Sequence, residues 1–342
     1  MKPSIHGLLP EELTAFCKEQ GQSAFRAKQI FDWLYGQMVS SFDEMKNLPA
    51  PLRGLLAEHY SFQALEKLEV SGVKGETQKL LFQLSDKEMI ETVIIPAPRR
   101  KKNTVCISGQ VGCRFGCAFC ASGQKGVIRN LTAGEIVGQV LEVSRQLGGR
   151  PDNVVFMGIG EPFDNYDEVM QSVRILNHPD GLNIGARKIT VSTCGVVPGI
   201  ERFAEEGLQV ELSVSLHAPD EQTRASIMPV NETWPMTELM DACAAYTEKT
   251  NRIITFEYTL IKDLNDSVEQ ARELVKLLRR FPCRVNLIPL SPVEEFDGER
   301  PESETMQAFF QTLENAHINT TLRDSKGSKL KAACGQLRSR HS

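Results

Sequence analysis

An α/β fold built as a partial (β/α)6 barrel is the architecture this sequence predicts, and three observations predict it. From residue 104 onward six strand-like apolar segments alternate with six segments of helical period, the rhythm of a parallel sheet with right-handed crossovers. Six units fall short of the eight that close a barrel. The glycine-rich and polar residues of this region fall just after the strand segments, where parallel barrels carry their chemistry. An ordinary doubly wound sheet is the alternative.

The elements follow in order. Residues 1–62 read as a small helical domain. Pro10-Glu11-Glu12 opens a helix with a proline and two acids in its first turn, Phe25, Ile30, Phe31, Leu34 and Met38 recur at helical spacing, and Pro49 and Pro51 start another short helix. Residues 63–103 form a β-rich connecting region: Leu65–Val70, Lys79–Phe82 and Met89–Ile95 are strands parted by Gly72, Gly75 and Ser85-Asp86. The barrel spans residues 104–322, with strands over 104–108, 153–157, 188–192, 209–216, 253–260 and 284–288, and helices near 132–147, 167–177, 198–206, 236–248, 267–280 and 303–316. Residues 323–342 are a basic C-terminal loop and tail.

Composition excludes several classes. The 342 residues are 41% hydrophobic and 24% charged, a globular balance, and the net charge of −5 denies the whole chain a basic nucleic-acid footprint. No apolar run approaches membrane-span length and residues 1–12 lack a signal core, so a soluble, cytoplasmic chain is expected. Nine cysteines, an odd number, do not suggest a disulfide framework. Cys17, Cys194, Cys243 and Cys283 read as small buried hydrophobes.

Chemistry concentrates elsewhere. Cys113-x3-Cys117-x2-Cys120 places three thiols on one short loop after the first barrel strand. Three thiolates can hold three irons of a [4Fe–4S] cluster and leave the fourth open, whereas structural zinc asks for four closed ligands. Gly158-Ile159-Gly160-Glu161-Pro162 follows the second strand, with glycines for close ligand approach and a carboxylate for an ammonium group. Cys106 lies in the first strand, and Cys334 lies near Arg323, Lys326, Lys329, Lys331, Arg338 and Arg340, with Asp324 the one acid of residues 320–342. Such cations lower a thiol pKa, so for Cys334 a mobile, reactive thiol stands as a reading beside a buried one. Taken alone, Cys106 reads as a buried inert cysteine, Glu91 as a solvated strand glutamate and His217 as a structural histidine.

Together these motifs resemble the RlmN/Cfr family of radical S-adenosylmethionine (SAM) RNA methyltransferases over nearly the whole chain. Phe25–Leu34, Ile90–Val93, Cys106–Cys113, Arg129–Leu131, Met157–Pro162, Ser192–Pro198, Ser215–Pro219 and Ala332–Leu337 carry the resemblance. It implies a radical SAM barrel with Cys113, Cys117 and Cys120 on the cluster, and SAM contacts at Gly160, Glu161, Ser192, Ser215, Leu216 and His217. Ser291 stands where the family commonly has an asparagine, and its reach is shorter. It further implies two SAM molecules per turnover: one methylates Cys334, and the other yields a radical that takes a hydrogen from that methyl. The carbon then adds to an adenine ring, Glu91 is the proton acceptor, and Cys106 resolves the adduct as a Cys106–Cys334 disulfide.

The implied substrates are 23S rRNA near the peptidyl-transferase centre and tRNA beside the anticodon, methylated at adenine carbon 2. A reducing partner such as flavodoxin is implied, and a monomer is the default. Arg99–Lys102, the C-terminal cations and the helical domain with Arg26, Lys28 and Trp33 are the expected RNA contacts. The alternative within the family is Cfr-type methylation at carbon 8, which confers antibiotic resistance. An alternative of another class is a non-catalytic RNA-binding or iron–sulfur sensor protein. The N-terminal helices and Ser192–Pro198 lie nearer the RlmN branch.

Overall fold

The computed structural model describes residues 2–323 and 327–338. Asp324, Lys326 and Arg340 of the basic run lie outside the described residues, as does the side chain of Lys329.

Helices Pro10–Glu19, Phe25–Phe31 and Ala50–His59 form the N-terminal part. Pro10 occupies the first helical turn, and the Glu12 carboxylate accepts the Leu9 N–H at 2.6 Å. Leu13, Ile30, Leu34, Leu52 and Leu56 are fully buried between these helices. The cluster docks through backbone: Gly7 packs so closely on Gly134 that a Cβ would stand 2.8 Å from the Gly134 nitrogen.

Strands β1 (Glu66–Ser71), β2 (Gln78–Gln83), β3 (Met89–Ala97) and β4 (Lys102–Cys106) are antiparallel neighbours. After the small hairpin β5 (Gln110–Gly112) and β6 (Val127–Asn130), the chain builds β7 (Asn153–Phe156), β8 (Ile189–Thr193), β9 (Glu211–Ser215), β10 (Ile254–Leu260), β11 (Cys283–Pro289) and β12 (Asn319–Leu322). One ten-stranded sheet runs β1-β2-β3-β4-β7-β8-β9-β10-β11-β12 and has two free ends. From β4 onward its neighbours are parallel, so the barrel is partial, as expected. The residues of the connecting region continue that sheet directly. The short hairpin and β12 were not legible in the sequence. Asn319-Thr320-Thr321-Leu322 has no apolar run to mark it as a strand, and its parallel pairing with β11 alone makes it one.

The sheet sorts its side chains by alternation. Ile254, Phe256, Tyr258 and Leu260 enter the hydrophobic core, which leaves Thr255, Glu257 and Thr259 for the opposite, concave face. In β9, Leu212 and Val214 do the same and leave Ser213 and Ser215 inward. A helix over Ala133–Leu147 covers the outer face. It starts on a reciprocal cap between Thr132 and Glu135 and stops at Gly148 in the left-handed region.

Candidate active site

The mouth of the partial barrel is a cavity of about 150 Å³ that opens to solvent. Cys113, Cys117 and Cys120 line one wall. Their loop is pinched at its base by the β5–β6 hairpin, where the Cys113 N–H donates to the Gly126 carbonyl at 3.0 Å. Its tip is tied down by Ala118 N–H to the Ile227 carbonyl at 2.9 Å. Burial pushes the Cys113 thiol up to about 12 and Cys117 well above its ordinary value, with neighbouring thiols adding to both. Among the described residues no three His, Cys, Asp or Glu side chains gather as a ready site for a metal ion. A cluster asks instead for one thiolate per iron, and three thiols sharing one pocket wall fit that demand.

The strand ends make the facing walls. Gly160 takes φ +99, and a Cβ there would meet Gln110 Cβ at 2.5 Å, so glycine is required by both conformation and space. Gln110, fully buried, accepts the Glu161 N–H at 2.8 Å and fixes where that residue points. The Glu161 carboxylate accepts the N–H groups of Phe163 (3.0 Å) and Cys194 (2.7 Å). Burial raises its pKa while these bonds oppose the shift. Ser192, Ser215, His217 and Ser291 also line the pocket. His217 sits at φ +57, accepts the Thr259 N–H on Nδ1 at 2.9 Å, and meets Phe119 edge-on at 4.8 Å between ring centroids. Burial lowers its pKa to about 3, so the ring is neutral at pH 7. Leu216 is the exception among the expected contacts: its side chain lies wholly in the main core and its N–H donates to the Glu257 carbonyl.

Three pocket features escaped the sequence reading. Cys194, expected as a buried hydrophobe, lines the pocket. Arg224 is fully buried and donates to the carbonyls of Cys194 (2.6 Å) and Ser215 (3.4 Å) and to Asn231 (2.7 Å), bracing two strand ends at once. Glu257 projects from the middle of β10 into the pocket. Arg224 and Glu257 lie in no spacing motif, and Cys194 falls inside Ser192–Pro198 without being singled out there; only the alternation of β10 could have signalled Glu257.

The two distant cysteines meet around a second cavity, which Cys106 and Cys334 both line, and Cys334 lines the main pocket as well. Cys106, at the end of β4, is buried between Val93 and Val155 of the flanking strands. Cys334 is exposed as a residue, yet burial of its thiol raises the pKa, with Glu257 adding and Arg323 opposing. The lowering expected from nearby cations is therefore overturned. Lys331 is paired with Glu294 and Arg338 with Glu295, each at 2.6 Å, so their charges are matched elsewhere.

Glu91 is not a solvated glutamate. It is buried, paired with Lys79 at 2.9 Å, and accepts the Arg338 backbone N–H at 3.0 Å. It lies outside both cysteine-lined cavities and beneath the Cys334 segment. Of the basic run Arg99–Lys102, all four residues are exposed: Arg99, Arg100 and Lys101 on the turn after β3, and Lys102 at the start of β4.

A three-cysteine loop after the first parallel strand, a Gly-Glu turn after the second and polar strand ends around one open mouth define the class of radical SAM enzymes. The sequence model of the Radical SAM superfamily matches residues 107–278, and that of the ribosomal RNA large subunit methyltransferase N-terminal domain matches residues 4–61. A probable dual-specificity RNA methyltransferase RlmN of Halalkalibacterium halodurans is 48% identical over 341 residues, covering 99% of this chain and 94% of its own. One from Lysinibacillus sphaericus is also 48% identical, covering 99% and 89%. A crystal structure of a radical SAM methyltransferase from Sphaerobacter thermophilus superposes with a TM-score of 0.94 at 45% identity, covering 98% of this chain and 99% of that one. The chain belongs to the RlmN family of radical SAM RNA methyltransferases.

Proposed function

We propose that this enzyme methylates carbon 2 of an adenosine in 23S rRNA, and of the adenosine beside the anticodon in tRNA, with Cys334 as the methyl carrier. The observation that carries the reading is that Cys334 faces two cavities, one walled by Cys113, Cys117 and Cys120 and the other shared with Cys106. A ring carbon without a lone pair does not attack SAM, so the methyl group must arrive in a more reactive form. Cys113, Cys117 and Cys120 would hold a [4Fe–4S] cluster, which, given one electron from an external reductant, would cleave bound SAM to methionine and a carbon-centred radical. Glu161 holds the SAM ammonium, and Ser192, Ser215, His217 and Ser291 orient the rest. The Leu216 contact is kept to its backbone, since its side chain is in the core.

Cys334 gives up its thiol proton as it is methylated, and two SAM molecules are consumed per turnover. Cys106 then closes on Cys334 as a disulfide when the methylated base leaves, which requires a reductant such as flavodoxin between turnovers. Glu91 accepts the ring proton in this reading once the C-terminal segment shifts, because at rest it is held by Lys79 and the Arg338 N–H. Residues 1–62 grip RNA, residues 63–103 brace the sheet, residues 104–322 carry the site and residues 323–342 deliver the thiol. Arg99–Lys102 and Arg323 meet phosphates. The target base enters unstacked, since its ring carbon is unreachable in a helix. We place the enzyme in the cytoplasm as a monomer; among the described residues no helix is long and apolar enough to cross a membrane.

The test is mass spectrometry of digested 23S rRNA and tRNA after anaerobic incubation with reconstituted enzyme, reductant and SAM. Methyl groups at adenine carbon 2 in both RNAs are expected. A methyl at carbon 8 would replace this reading with the Cfr-type one, and rRNA modification without tRNA modification would restrict it to one substrate.

A further inference from the structure

Glu257 is a buried ionisable group of the main pocket that neither the family motifs nor the cysteine chemistry employs. It is 4% exposed, projects from the centre of β10 and lines the main pocket. Its Oε1 accepts hydrogen bonds from the Ser213 hydroxyl (3.2 Å) and the Asn286 amide (2.9 Å), whereas Oε2 is buried with no partner. Register places it beside Ser215 on β9 and Asn286 on β11, so its depth in the barrel is that of an expected SAM contact. An unpaired buried carboxylate oxygen costs free energy, and the cost is recovered when a ligand supplies a donor. Glu161 already answers the SAM ammonium in the proposed function. The donors left are the N–H and O–H groups of adenosine, which SAM and the target RNA both contain.

We propose that Glu257 is a specificity-determining residue whose Oε2 accepts a hydrogen bond from an N–H or O–H donor of an adenosine moiety in the pocket, that of SAM or that of the target nucleotide. The RNA half rests on the reading that the target is an adenosine; the SAM half rests on the radical SAM class alone. Burial raises the Glu257 pKa, while Arg323 and the hydrogen bonds from Asn286 and Ser213 oppose that shift.

The test compares Glu257→Gln with the parent enzyme, both with cluster reconstituted. Glutamine keeps the volume and can still face Ser213 and Asn286 with its carbonyl, but it turns an N–H toward the pocket where an acceptor stood. SAM affinity is read by equilibrium dialysis. RNA affinity is read by fluorescence anisotropy with a 23S stem-loop carrying either the target adenosine or purine riboside, which lacks the amine, at that position. If SAM is the source, its Kd rises about tenfold or more in the variant, with RNA discrimination unchanged. If the target base is the source, the parent binds purine-substituted RNA about tenfold more weakly while the variant no longer distinguishes the two RNAs. The proposal is overturned if the variant alters SAM affinity less than about twofold and still prefers adenosine as the parent does.

Should Glu257→Gln fail to fold, the ligand side decides with the parent enzyme. SAM analogues lacking either ribose hydroxyl or the adenine amine, and the purine-substituted RNA, would then all bind normally if the proposal were wrong. Product mapping of the parent enzyme separates the two readings: a methyl at carbon 8 defeats the proposed carbon-2 function and leaves these binding comparisons standing.

Discussion

Cys106 and Cys334 share a cavity but are held by different physics. Cys106 ends a strand whose ladder is paired on both sides, with Val93 and Val155 as register partners. To move it, β4 would have to leave the sheet. Cys334 lies outside any strand or helix and is held by separate fastenings to three parts of the molecule. Ser122 Oγ donates to the Leu337 carbonyl at 2.7 Å and Ala121 N–H to the Gly335 carbonyl at 2.7 Å, both on the cluster loop. Gln336 donates to the Pro292 carbonyl at 2.9 Å, beside the Lys331–Glu294 and Arg338–Glu295 pairs. Glu91 and Lys79 of the antiparallel strands take the third side. The comparison shows one thiol fixed by a ladder paired on both sides and the other tied by separate bonds that can be released one at a time.

Five substitutions break or sharpen that contrast. The largest effect belongs to the thiols themselves. Cys334→Ala should abolish RNA methylation, read by mass spectrometry, while the visible absorbance of the reconstituted cluster is retained. Cys106→Ala should instead accumulate a covalent protein–RNA adduct on denaturing gels; free unmethylated RNA with no adduct would remove Cys106 from the resolving role.

Next comes the buried pair. Glu91→Gln leaves Lys79 as an uncompensated charge in a nearly closed site and should cost about 3 kcal/mol of stability in urea denaturation. Because Glu91 also receives the Arg338 N–H, hydrogen exchange over residues 330–338 should rise in the same variant. Unchanged exchange there would show that the fastening is dispensable.

Ser122→Ala removes one hydrogen bond between cluster loop and Cys334 segment and should cost about 1 kcal/mol. Its distinctive readout is faster reaction of Cys334 with an alkylating reagent, with Cys106 unaffected. The smallest effect is expected from Glu295→Gln, which loosens an exposed pair with Arg338. Solvent screening leaves such pairs little weight, so only a modest rise in proteolysis of the C-terminal segment should be seen, diminishing as salt is added.

The sequence by itself determined the parallel α/β rhythm, the six strand–helix units, the three-cysteine loop and the Gly-Glu turn. Each of these is written in local spacing: apolar period decides strand or helix, and three thiols within eight residues are close whatever else the chain does. Tertiary structure alone decided the rest. The strand β12 exists because β11 offers it an edge. Glu91 became a buried anchor instead of a solvated acid because the Cys334 segment, more than two hundred residues later, lies over it. Lys331 and Arg338 are met by Glu294 and Glu295 from another loop, and Arg323 opposes the rise of the Cys334 thiol without outweighing it. Cys194 reaches the pocket just past the end of β8 and Glu257 through the pleat of β10, while Arg224 braces two strand ends from a helix, placements decided by tertiary packing. Burial and charge pairing depend on what the folded chain places nearby, and that is settled by contacts far apart in sequence.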